Sequence, residues 1–337
     1  MKTLTSITTM QELAQAAGVS IATVSRVFSG SPKVSEKTRA KVMELVHQSG
    51  FQPNETARTM AAGSSRLIAV ILPDIENPYF SRLLSEVEQL CVKNGYTMIF
   101  FNSNGDSEKE KEIVTKMMAR QADGMLICMT RIKSEMIPVI KTANFPVVVM
   151  TRNINGLDSV AINHLEGGRL AADYLIKNRC EQFFFFGLKD DEKFTGFYNE
   201  LLKKKVPESK IKIFGDKDWY FNNYAQASEL MDKFMQEQKT CTEKTGLFCI
   251  NDLFAVQAIN AANRNNIKIP EKLNIVGFDN TMLCDMTFPA LTSINQPLDK
   301  IAAKSFEILC QKIKEKKEGK SSLKTIVLEP SIIKRES

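Results

Sequence analysis

The sequence of 337 residues predicts an all-α headpiece that contains a helix-turn-helix, followed by a two-lobed α/β core. Residues 9–28 hold two short amphipathic segments on either side of Gly18, a pattern typical of two helices joined by a tight turn. From Leu67 onward, strand-like runs alternate with amphipathic helical segments, which favours parallel sheets with helices on both faces. The length suits one small domain and a larger one with two lobes.

The first two helices of the headpiece are predicted from their ends. Thr9 and Glu12 form the capping-box pattern that starts a helix, and Gly18 permits the left-handed backbone that ends it. Ser20 caps the second helix, because its hydroxyl can accept from the unpaired N–H three residues later. The apolar face of that second helix predicts packing inside the headpiece through Val24, Val27 and Phe28.

The opposite face of the second helix suits the base edges and phosphates of a DNA major groove. A third helix is predicted from the cap Ser35, with Thr38 facing inward, while Lys37 and Arg39 are placed nearer the phosphates. A small structural three-helix bundle is the alternative interpretation of this pattern. The outward face of the second helix carries Ile21, Ala22, Thr23, Ser25 and Arg26.

Positive charge is concentrated near the amino-terminal end of the sequence. Residues 1–66 contain eight lysines and arginines against four glutamates, a net charge of +4 out of +6 for the whole chain. Neutralising phosphates releases counterions, so a basic helical domain favours a polyanionic partner.

Four strands are predicted for the first lobe and four for the second, with helices between them. The predicted strands cover residues 67–72, 97–101, 124–128, 146–150, 182–186, 211–214, 246–250 and 273–276. The predicted helices cover residues 79–93, 107–120, 133–143, 165–177, 193–204, 223–238, 253–265 and 298–317. The last helix is expected to pack on the first lobe, and residues 325–328 are expected to join the second.

Polar and aromatic residues follow several predicted strands, where ligands of open parallel sheets bind. Carboxylates and amides for paired hydroxyls, with an aromatic platform for C–H faces, are the chemistry that sugars require. Asp252 and Asn280 accompany this group. The candidate ligand-binding residues are Tyr79, Phe80, Thr151, Arg152, Lys193, Trp219, Asn251, Asp279 and Gln296.

Some of these residues also have a structural interpretation. Tyr79 and Phe80 could begin the core face of a helix, and Asn251 could cap the helix that follows it. Asp279 is harder to explain in this way, because an unpaired acid at the end of a buried strand is costly.

Short motifs along nearly the whole chain resemble the lactose-repressor (LacI/GalR) family. The headpiece motifs are residues 9–26, 34–35, 38–39, 42, 50–54 and 57. The core motifs are Asn77-Pro78-Tyr79-Phe80, Gly95-Tyr96, Asn102-Ser103, Asp123-Gly124, Asn251-Asp252, Val276-Gly277-Phe278-Asp279, Leu291-Thr292 and Gln296-Pro297. The resemblance implies a core similar to that of periplasmic binding proteins.

The resemblance also implies a homodimer that binds double-stranded operator DNA. Residues 54–66 correspond to the family's hinge helix, which orders when two copies pair in the minor groove and wedge an apolar side chain between base pairs. That side chain is usually leucine and is Met60 here; a flexible linker is the alternative. The implied DNA-binding residues are Thr9, Ser20, Ile21, Ala22, Thr23, Ser25, Arg26, Ser35, Thr38, Asn54, Ala57 and Met60.

Three places in the core depart from the family pattern. Thr151 stands where aspartate usually precedes an arginine, Lys193 where an arginine commonly binds the effector, and Asn163-His164 where Asp-Asn is usual. The expected pocket therefore loses up to two acids and a planar guanidinium, although Lys193 could contact a sugar hydroxyl or a phosphate. His164 is expected to line the lobe junction rather than the ligand.

Pattern and resemblance together divide the chain into three parts. The headpiece is placed at residues 1–53, the hinge and linker at 54–66, and the effector-binding and dimerisation core at 67–337. The first lobe of the core is expected at about 67–161 and 292–318, and the second at about 162–291 and 319–337. No heptad tail follows Ile333, so a dimer is expected rather than a tetramer.

The expected function is that of a repressor of carbohydrate-use genes whose operator affinity changes when a small sugar or sugar phosphate binds. A purine or another metabolite as effector, or action with a corepressor, is the alternative. No GxGxxG, Walker A or GxSxG motif supports an enzyme, and no cofactor is predicted. A secreted sugar-binding receptor would leave residues 9–26 unexplained.

The sequence also predicts a cytoplasmic location without a membrane partner. Residues 1–20 lack the apolar core of a signal peptide, and no transmembrane stretch occurs. The seven cysteines are scattered without CxxC spacing, which favours reduced thiols over disulfides or a zinc site. Two histidines give little support for a metal site.

Overall fold

The structure is a computed structural model that describes residues 7–28, 31–51, 64–129, 136–215, 224–319 and 322–337. The chain forms two compact units, residues 1–67 and residues 68–337, which we describe separately. The predicted hinge at residues 54–66 lies outside the described residues except for its last three.

The headpiece contains three helices, α1 (Met10–Ala17), α2 (Ile21–Phe28) and α3 (Glu36–Ser49). Each start is capped as predicted: Thr9 and Glu12 form a reciprocal capping box, and the hydroxyls of Ser20 and Ser35 accept from backbone N–H groups three residues later. Gly18 ends α1 with φ at 66°. The small core is built from Leu13, Ala14, Ala17, Val24, Val27, Val34, Val42 and Phe51.

Arg39 has a structural position that the sequence did not predict. Its guanidinium donates to the carbonyl oxygens of Val27 at 3.1 Å and Ser31 at 2.8 Å. These bonds satisfy a carbonyl near the end of α2 and one in the turn that follows, and they connect both to α3. Two of the five guanidinium N–H groups of Arg39 are thus used inside the headpiece, and its placement near DNA phosphates stays a prediction.

The first lobe is built on a six-stranded sheet with the order β11-β5-β4-β3-β1-β2. Its strands are β1 (Leu67–Leu72), β2 (Thr97–Asn102), β3 (Gly124–Cys128), β4 (Val147–Thr151), β5 (Asp158–Ile162) and β11 (Thr325–Leu328). Its helices are α4 (Pro78–Lys93), α5 (Ser107–Ala119), α6 (Met136–Thr142) and α11 (Leu298–Lys317). As predicted, α11 packs on this lobe, with Ile301 and Leu309 in the aliphatic core.

The second lobe repeats this plan, with the strand order β12-β10-β9-β8-β6-β7. Its strands are β6 (Gln182–Phe186), β7 (Ile211–Phe214), β8 (Thr245–Cys249), β9 (Leu273–Asp279), β10 (Thr292–Asn295) and β12 (Ser331–Ile333). Its helices are α7 (His164–Lys177), α8 (Glu192–Lys203), α9 (Tyr224–Thr240) and α10 (Asp252–Arg264). Phenylalanines dominate the core here, including Phe185, Phe186 and Phe248.

Three assignments near the lobe crossings are wrong. β5 was not predicted, because it pairs in parallel with β4 after a short loop, without the helix that normally separates parallel neighbours. Residues 325–328 were assigned to the second lobe but pair with β5 in the first sheet. Residues 292–295 were placed in the first lobe but pair with β9 in the second. Local pattern identifies such strands but does not reveal which sheet they join.

Helices α7 and α8 approach each other through two glycines. A Cβ atom on Gly168 would lie 2.0 Å from the backbone oxygen of Lys193, and one on Gly196 would lie 1.9 Å from that of Leu165. Only glycine fits at such a distance, so the pair sets how closely the helices pack. His164 at the start of α7 and Lys193 at the start of α8 are thereby placed side by side.

Candidate functional site

The outward face of α2 presents the residues that the sequence assigned to DNA. Ile21 is 47% exposed, and Ala22 and Arg26 are also exposed, whereas Thr23 and Ser25 are half-buried. Val24 and Val27 face the headpiece core, as predicted. The helix therefore separates an inward apolar face from an outward face of mixed character.

Most hydroxyls around α2 are already hydrogen-bonded within the headpiece. Ser20 accepts from the backbone N–H of Thr23 at 3.1 Å, and the two side-chain oxygens lie 2.9 Å apart. Ser35 and Thr38 repeat this arrangement at the start of α3, and Thr9 caps α1. These residues hold the helix ends in place. The remaining proposed DNA contacts, Asn54, Ala57 and Met60, lie outside the described residues.

In the core, the structure brings the predicted ligand-binding residues together in one cleft between the lobes. The cleft encloses about 550 Å³ of space free of protein atoms, a volume that includes open solvent at its mouth. Trp219 lies outside the described residues. The eight predicted residues that line the cleft are Tyr79, Phe80, Thr151, Arg152, Lys193, Asn251, Asp279 and Gln296.

Six further residues complete the described lining. Two of them could have been found from helix-cap patterns, since Asn77 caps α4 and Asp191 caps α8. His164, which was expected at the lobe junction rather than beside the ligand, lines this cleft between the lobes. The side chain of His164 reaches the cleft because helix α7 begins at the edge of the cleft. The six residues are Asn77, Cys128, Met129, His164, Asp191 and Ile250.

Asp252 and Asn280, which the sequence placed with the candidate ligand-binding residues, hydrogen-bond to other parts of the protein. The buried carboxylate of Asp252 accepts from Ser293 at 2.6 Å and from the backbone N–H of Thr281 at 2.7 Å. It therefore anchors the loop after β9 and does not line the cleft. The side chain of Asn280 donates to Asn295 at 3.1 Å, behind the cleft wall.

A hydrogen-bond chain crosses between the lobes at the floor of the cleft. The Tyr79 hydroxyl donates to Gln296 Oε1 at 3.1 Å, and Gln296 Nε2 donates to Asp279 Oδ1 at 2.6 Å. Burial raises the pKa of Asp279 to about 8, although the nearby Lys193 opposes this shift. Asp279 is thus largely protonated at neutral pH, which allows its carboxyl group to donate a hydrogen bond as well as accept one.

The opposite wall of the cleft is held by an ion pair and by two contacts of the Lys193 ammonium group. Lys193 Nζ donates to the Ile250 carbonyl at 2.9 Å and lies 4.0 Å from the centre of the Phe278 ring. Arg152 of the first lobe lies 3.7 Å from Asp191 of the second. Burial alone would raise the pKa of Asp191, but Lys193 and Arg152 outweigh it and hold that pKa low. Asp191 therefore stays ionised and balances the two cations.

His164 lies beside this network rather than inside it. Its Nδ1 is 3.5 Å from Glu192 Oε2, and its ring lies 5.7 Å from that of Phe278. Burial lowers the pKa of His164, so the imidazole is mainly neutral at neutral pH. It contributes an aromatic surface and a polar ring edge to the cleft.

The backbone at the cleft adopts left-handed conformations that are unusual for side-chain-bearing residues. Thr151 at the end of β4 has φ at 72°, and Asp279 at the end of β9 has φ at 110°. A β-branched residue with positive φ is strained, and such residues cluster at binding sites where the surrounding structure imposes them. The surrounding structure therefore imposes the backbone conformation at these two strand ends, which face the cleft.

The amide groups of the cleft are oriented by the protein. The side-chain oxygens of Asn77, Asn251 and Gln296 accept from Tyr79 N–H, Phe254 N–H and the Tyr79 hydroxyl, at 3.0, 3.0 and 3.1 Å. The side-chain nitrogen of Gln296 donates to Asp279, and the Asn77 side chain is also hydrogen-bonded to Asp279, whereas the nitrogen of Asn251 has no bond to any described residue. The cleft therefore offers a ligand donors, at Asn251 and Arg152, together with acceptors, at Asp191 and Asp279.

The described residues contain no cluster of three or more metal-ligating side chains. They also contain no helix that is long and apolar enough to cross a bilayer.

Comparison with known proteins agrees with this architecture. The model of bacterial regulatory proteins, lacI family, matches residues 9–54, and that of the periplasmic binding protein-like domain matches residues 172–337. A Vibrio parahaemolyticus protein named HTH-type transcriptional repressor PurR is 30% identical over 337 residues, 97% of both chains. The two-domain pattern and the whole-length similarity define a DNA-binding regulatory protein, not an enzyme.

The chain belongs to the LacI family of bacterial regulatory proteins. Two solved structures share its fold at 21% identity. One is the lac repressor dimer bound to operator and the anti-inducer ONPF, with a TM-score of 0.83 and coverage of 97% of this chain and 98% of that one. The other is the transcriptional regulator CelR–cellobiose complex, with a TM-score of 0.68 and coverage of 98% and 100%.

Proposed function

We propose that the protein is a cytoplasmic, homodimeric transcriptional repressor that binds operator DNA through α2 and responds to a small molecule bound in the cleft. The exposed face of α2 supports the first part, together with the excess positive charge of residues 1–66. The cleft supports the second, because residues of both lobes line it and a small molecule that binds one arrangement of the lobes more tightly shifts the protein toward that arrangement.

The effector class that we infer is a planar heterocycle of the purine type. The carrying observation is the similarity to the relative named HTH-type transcriptional repressor PurR, which is 30% identical over 97% of both chains. In the cleft, Arg152 and the side-chain nitrogen of Asn251 can donate to the oxo groups and ring nitrogens of a purine.

Aromatic side chains give this heterocycle a surface to lie against. Tyr79 and Phe80 line the cleft, with ring centroids 5.1 Å apart and planes at 77°. An edge-to-face pair presents one flat ring and one ring edge, which suits a planar ligand. The buried Lys193 also lines the cleft, and one of its three N–H groups donates to the Ile250 carbonyl oxygen.

A sugar remains the second candidate, supported by the acid Asp279 and the Arg152 guanidinium at the cleft wall. A thermal-shift screen of purine bases, sugars and sugar phosphates on the full chain separates the two. Stabilisation by purine bases alone is the expected result. Stabilisation by a sugar alone contradicts the purine assignment, and no response to any compound contradicts the effector site. Selection of bound duplexes from random DNA tests the operator function independently.

A further inference from the structure

Arg335 connects the residues after β12 to the segment between β9 and β10. Its side chain is 15% exposed and is not among the described residues that line the cleft. The three hydrogen bonds of its guanidinium all reach this segment. The acceptors are Asn280 Oδ1 at 3.0 Å, Asp285 Oδ1 at 2.7 Å and the Leu291 carbonyl oxygen at 2.9 Å. Arg335 therefore joins the first residue of the segment to the last.

Asn280 relates this contact to the cleft, because it follows the cleft acid Asp279. Both residues have left-handed backbone conformations, with φ at 110° for Asp279 and 51° for Asn280. Such conformations persist where neighbouring groups impose them. The backbone N–H of Asn280 donates to Ser293, and its side-chain nitrogen donates to Asn295. Arg335 supplies a third restraint, on the amide oxygen of Asn280.

The other end of the segment leads to a second cleft group. Leu291 precedes β10, and β10 leads to Gln296, whose side chain donates to Asp279 at 2.6 Å. The strands β9 and β10 are parallel neighbours, so Asp279 and Gln296 reach the cleft from adjacent strand ends. Arg335 thus links the residue that follows Asp279 to the start of the strand that leads to Gln296.

We propose that Arg335 is a positioning residue of the effector site, which acts through Asn280 to hold the Asp279 carboxyl group against Gln296 in the cleft. Without the guanidinium, the amide oxygen of Asn280 loses its partner, and the left-handed backbone at Asp279 loses a restraint. This inference rests on the proposed function, because it assigns the residue to effector binding. A purely structural role for Arg335 instead predicts lower stability with unchanged effector affinity.

Calorimetric titration of the full chain, well below the melting temperature of every variant, separates these roles. The probe is whichever of adenine, guanine, hypoxanthine and xanthine stabilises the wild type most in thermal shift. Arg335→Ala should bind this base about tenfold more weakly, as expected for residues coupled in one network. Arg335→Lys keeps the charge but lacks the planar fork that reaches three acceptors, so it should lose affinity as well.

Glu336→Ala is the matched control. Glu336 also joins the residues after β12 to the same segment, since its carboxylate accepts from the Ala290 N–H at 2.9 Å. Within the described residues it has no hydrogen bond to Asn280. Glu336→Ala should therefore bind the base within about twofold of the wild type.

The double variant tests whether Arg335 acts through Asn280. Asn280→Ala should weaken binding of the base, and adding Arg335→Ala should cost little further affinity, whereas independent losses would multiply. The crystal structure of ligand-free Arg335→Ala gives a readout that needs no ligand. In it, Asp279 Oδ1 should lie beyond hydrogen-bond distance of Gln296 Nε2.

Three results would overturn the positioning role of Arg335. They are wild-type affinity for the base in Arg335→Ala, losses that multiply in the double variant, and an Asp279–Gln296 hydrogen bond that is kept in the crystal structure of Arg335→Ala. A wild-type chain that binds none of the four bases contradicts the purine effector instead. The crystal structure still tests the positioning role in that case, so the two failures are distinguishable.

Discussion

The hydrogen bonds that stabilise the headpiece and those that stabilise the cleft join residues at different distances along the chain. Hydrogen bonds at the helix starts of the headpiece join residues three positions apart, such as Ser20 with Thr23. Those of the cleft join distant parts of the chain, such as Tyr79 with Gln296, which are 217 positions apart. The capped helix starts of the headpiece are thus local units, whereas the cleft is one network shared by both lobes.

This difference predicts how the two regions respond to substitution. A substitution in one local unit should leave the other units unchanged, so the effects of two such substitutions on the free energy of unfolding should add. Residues in one buried network should depend on each other, because removing one leaves the polar groups of its partner unsatisfied. Operator binding and effector binding should therefore be separable by single substitutions.

The largest effect is expected for Asp279→Ala. This change removes the cleft carboxyl that Gln296 contacts at 2.6 Å, and effector affinity should fall on the order of 100-fold. Operator affinity without effector should stay within about twofold of wild type, because no headpiece residue changes. Calorimetry with the effector found by thermal shift and a DNA titration measure the two quantities. Asp190→Ala, at an exposed position near the cleft, is the control.

The next effect concerns Arg26, which can pair bidentately with guanine. Arg26→Ala should cost about 1 to 3 kcal/mol on each half-site of the specific operator and much less on scrambled DNA. Lys37→Ala should weaken both duplexes alike, as expected for a phosphate contact. Titrations at fixed salt measure both variants. Equal losses on the two duplexes for Arg26→Ala mean that its guanidinium binds phosphate and does not read sequence.

A smaller effect should appear in the pH dependence of stability. Because the pKa of Asp279 is raised to about 8, the folded state keeps a proton that the unfolded state releases near pH 4. The free energy of unfolding should therefore fall as pH rises from 4 to 8, by up to about 1.4 kcal/mol per unit. Asp279→Asn should reduce this decline, to which the raised pKa of the buried Asp252 also contributes, and Asp190→Asn should leave it unchanged. Denaturation at several pH values compares them.

The smallest effect is the coupling energy within each region. Tyr79→Phe and Gln296→Leu break the same hydrogen bond. The sum of the two losses in the free energy of unfolding should therefore exceed the loss in the double variant by about 0.5 to 1.5 kcal/mol. Ser20→Ala and Ser35→Ala remove separate caps and should add within about 0.5 kcal/mol. Additivity in the cleft, or strong coupling between the caps, contradicts the contrast drawn between the regions.

The same contrast explains how much could be predicted from the sequence. Capping residues and apolar periodicity located the headpiece helices, because a cap and its partner are neighbours in the chain. The position of Arg39 could not be predicted in this way, since its carbonyl partners lie eight and twelve residues earlier. In the core, strand positions followed from composition, but the pairing of β11 with β5 did not.

In the cleft, the rule that ligands bind beyond strand ends found eight lining residues. It missed Asp191, whose capping pattern gave no sign that Lys193 and Arg152 would surround it. It also could not reveal the raised pKa of Asp279, which depends on burial by both lobes. Such properties arise from tertiary contacts that local sequence does not encode.

We propose that a ligand in the cleft changes the operator affinity of the headpiece, and one titration tests this coupling most directly. Operator affinity of the wild-type chain is measured with increasing concentrations of a purine base identified by thermal shift, and Asp279→Ala is measured in parallel. A purine-dependent change in wild-type operator affinity, absent from Asp279→Ala at the same concentrations, is the expected result. Wild-type operator affinity that stays constant while the purine saturates the cleft contradicts the claim.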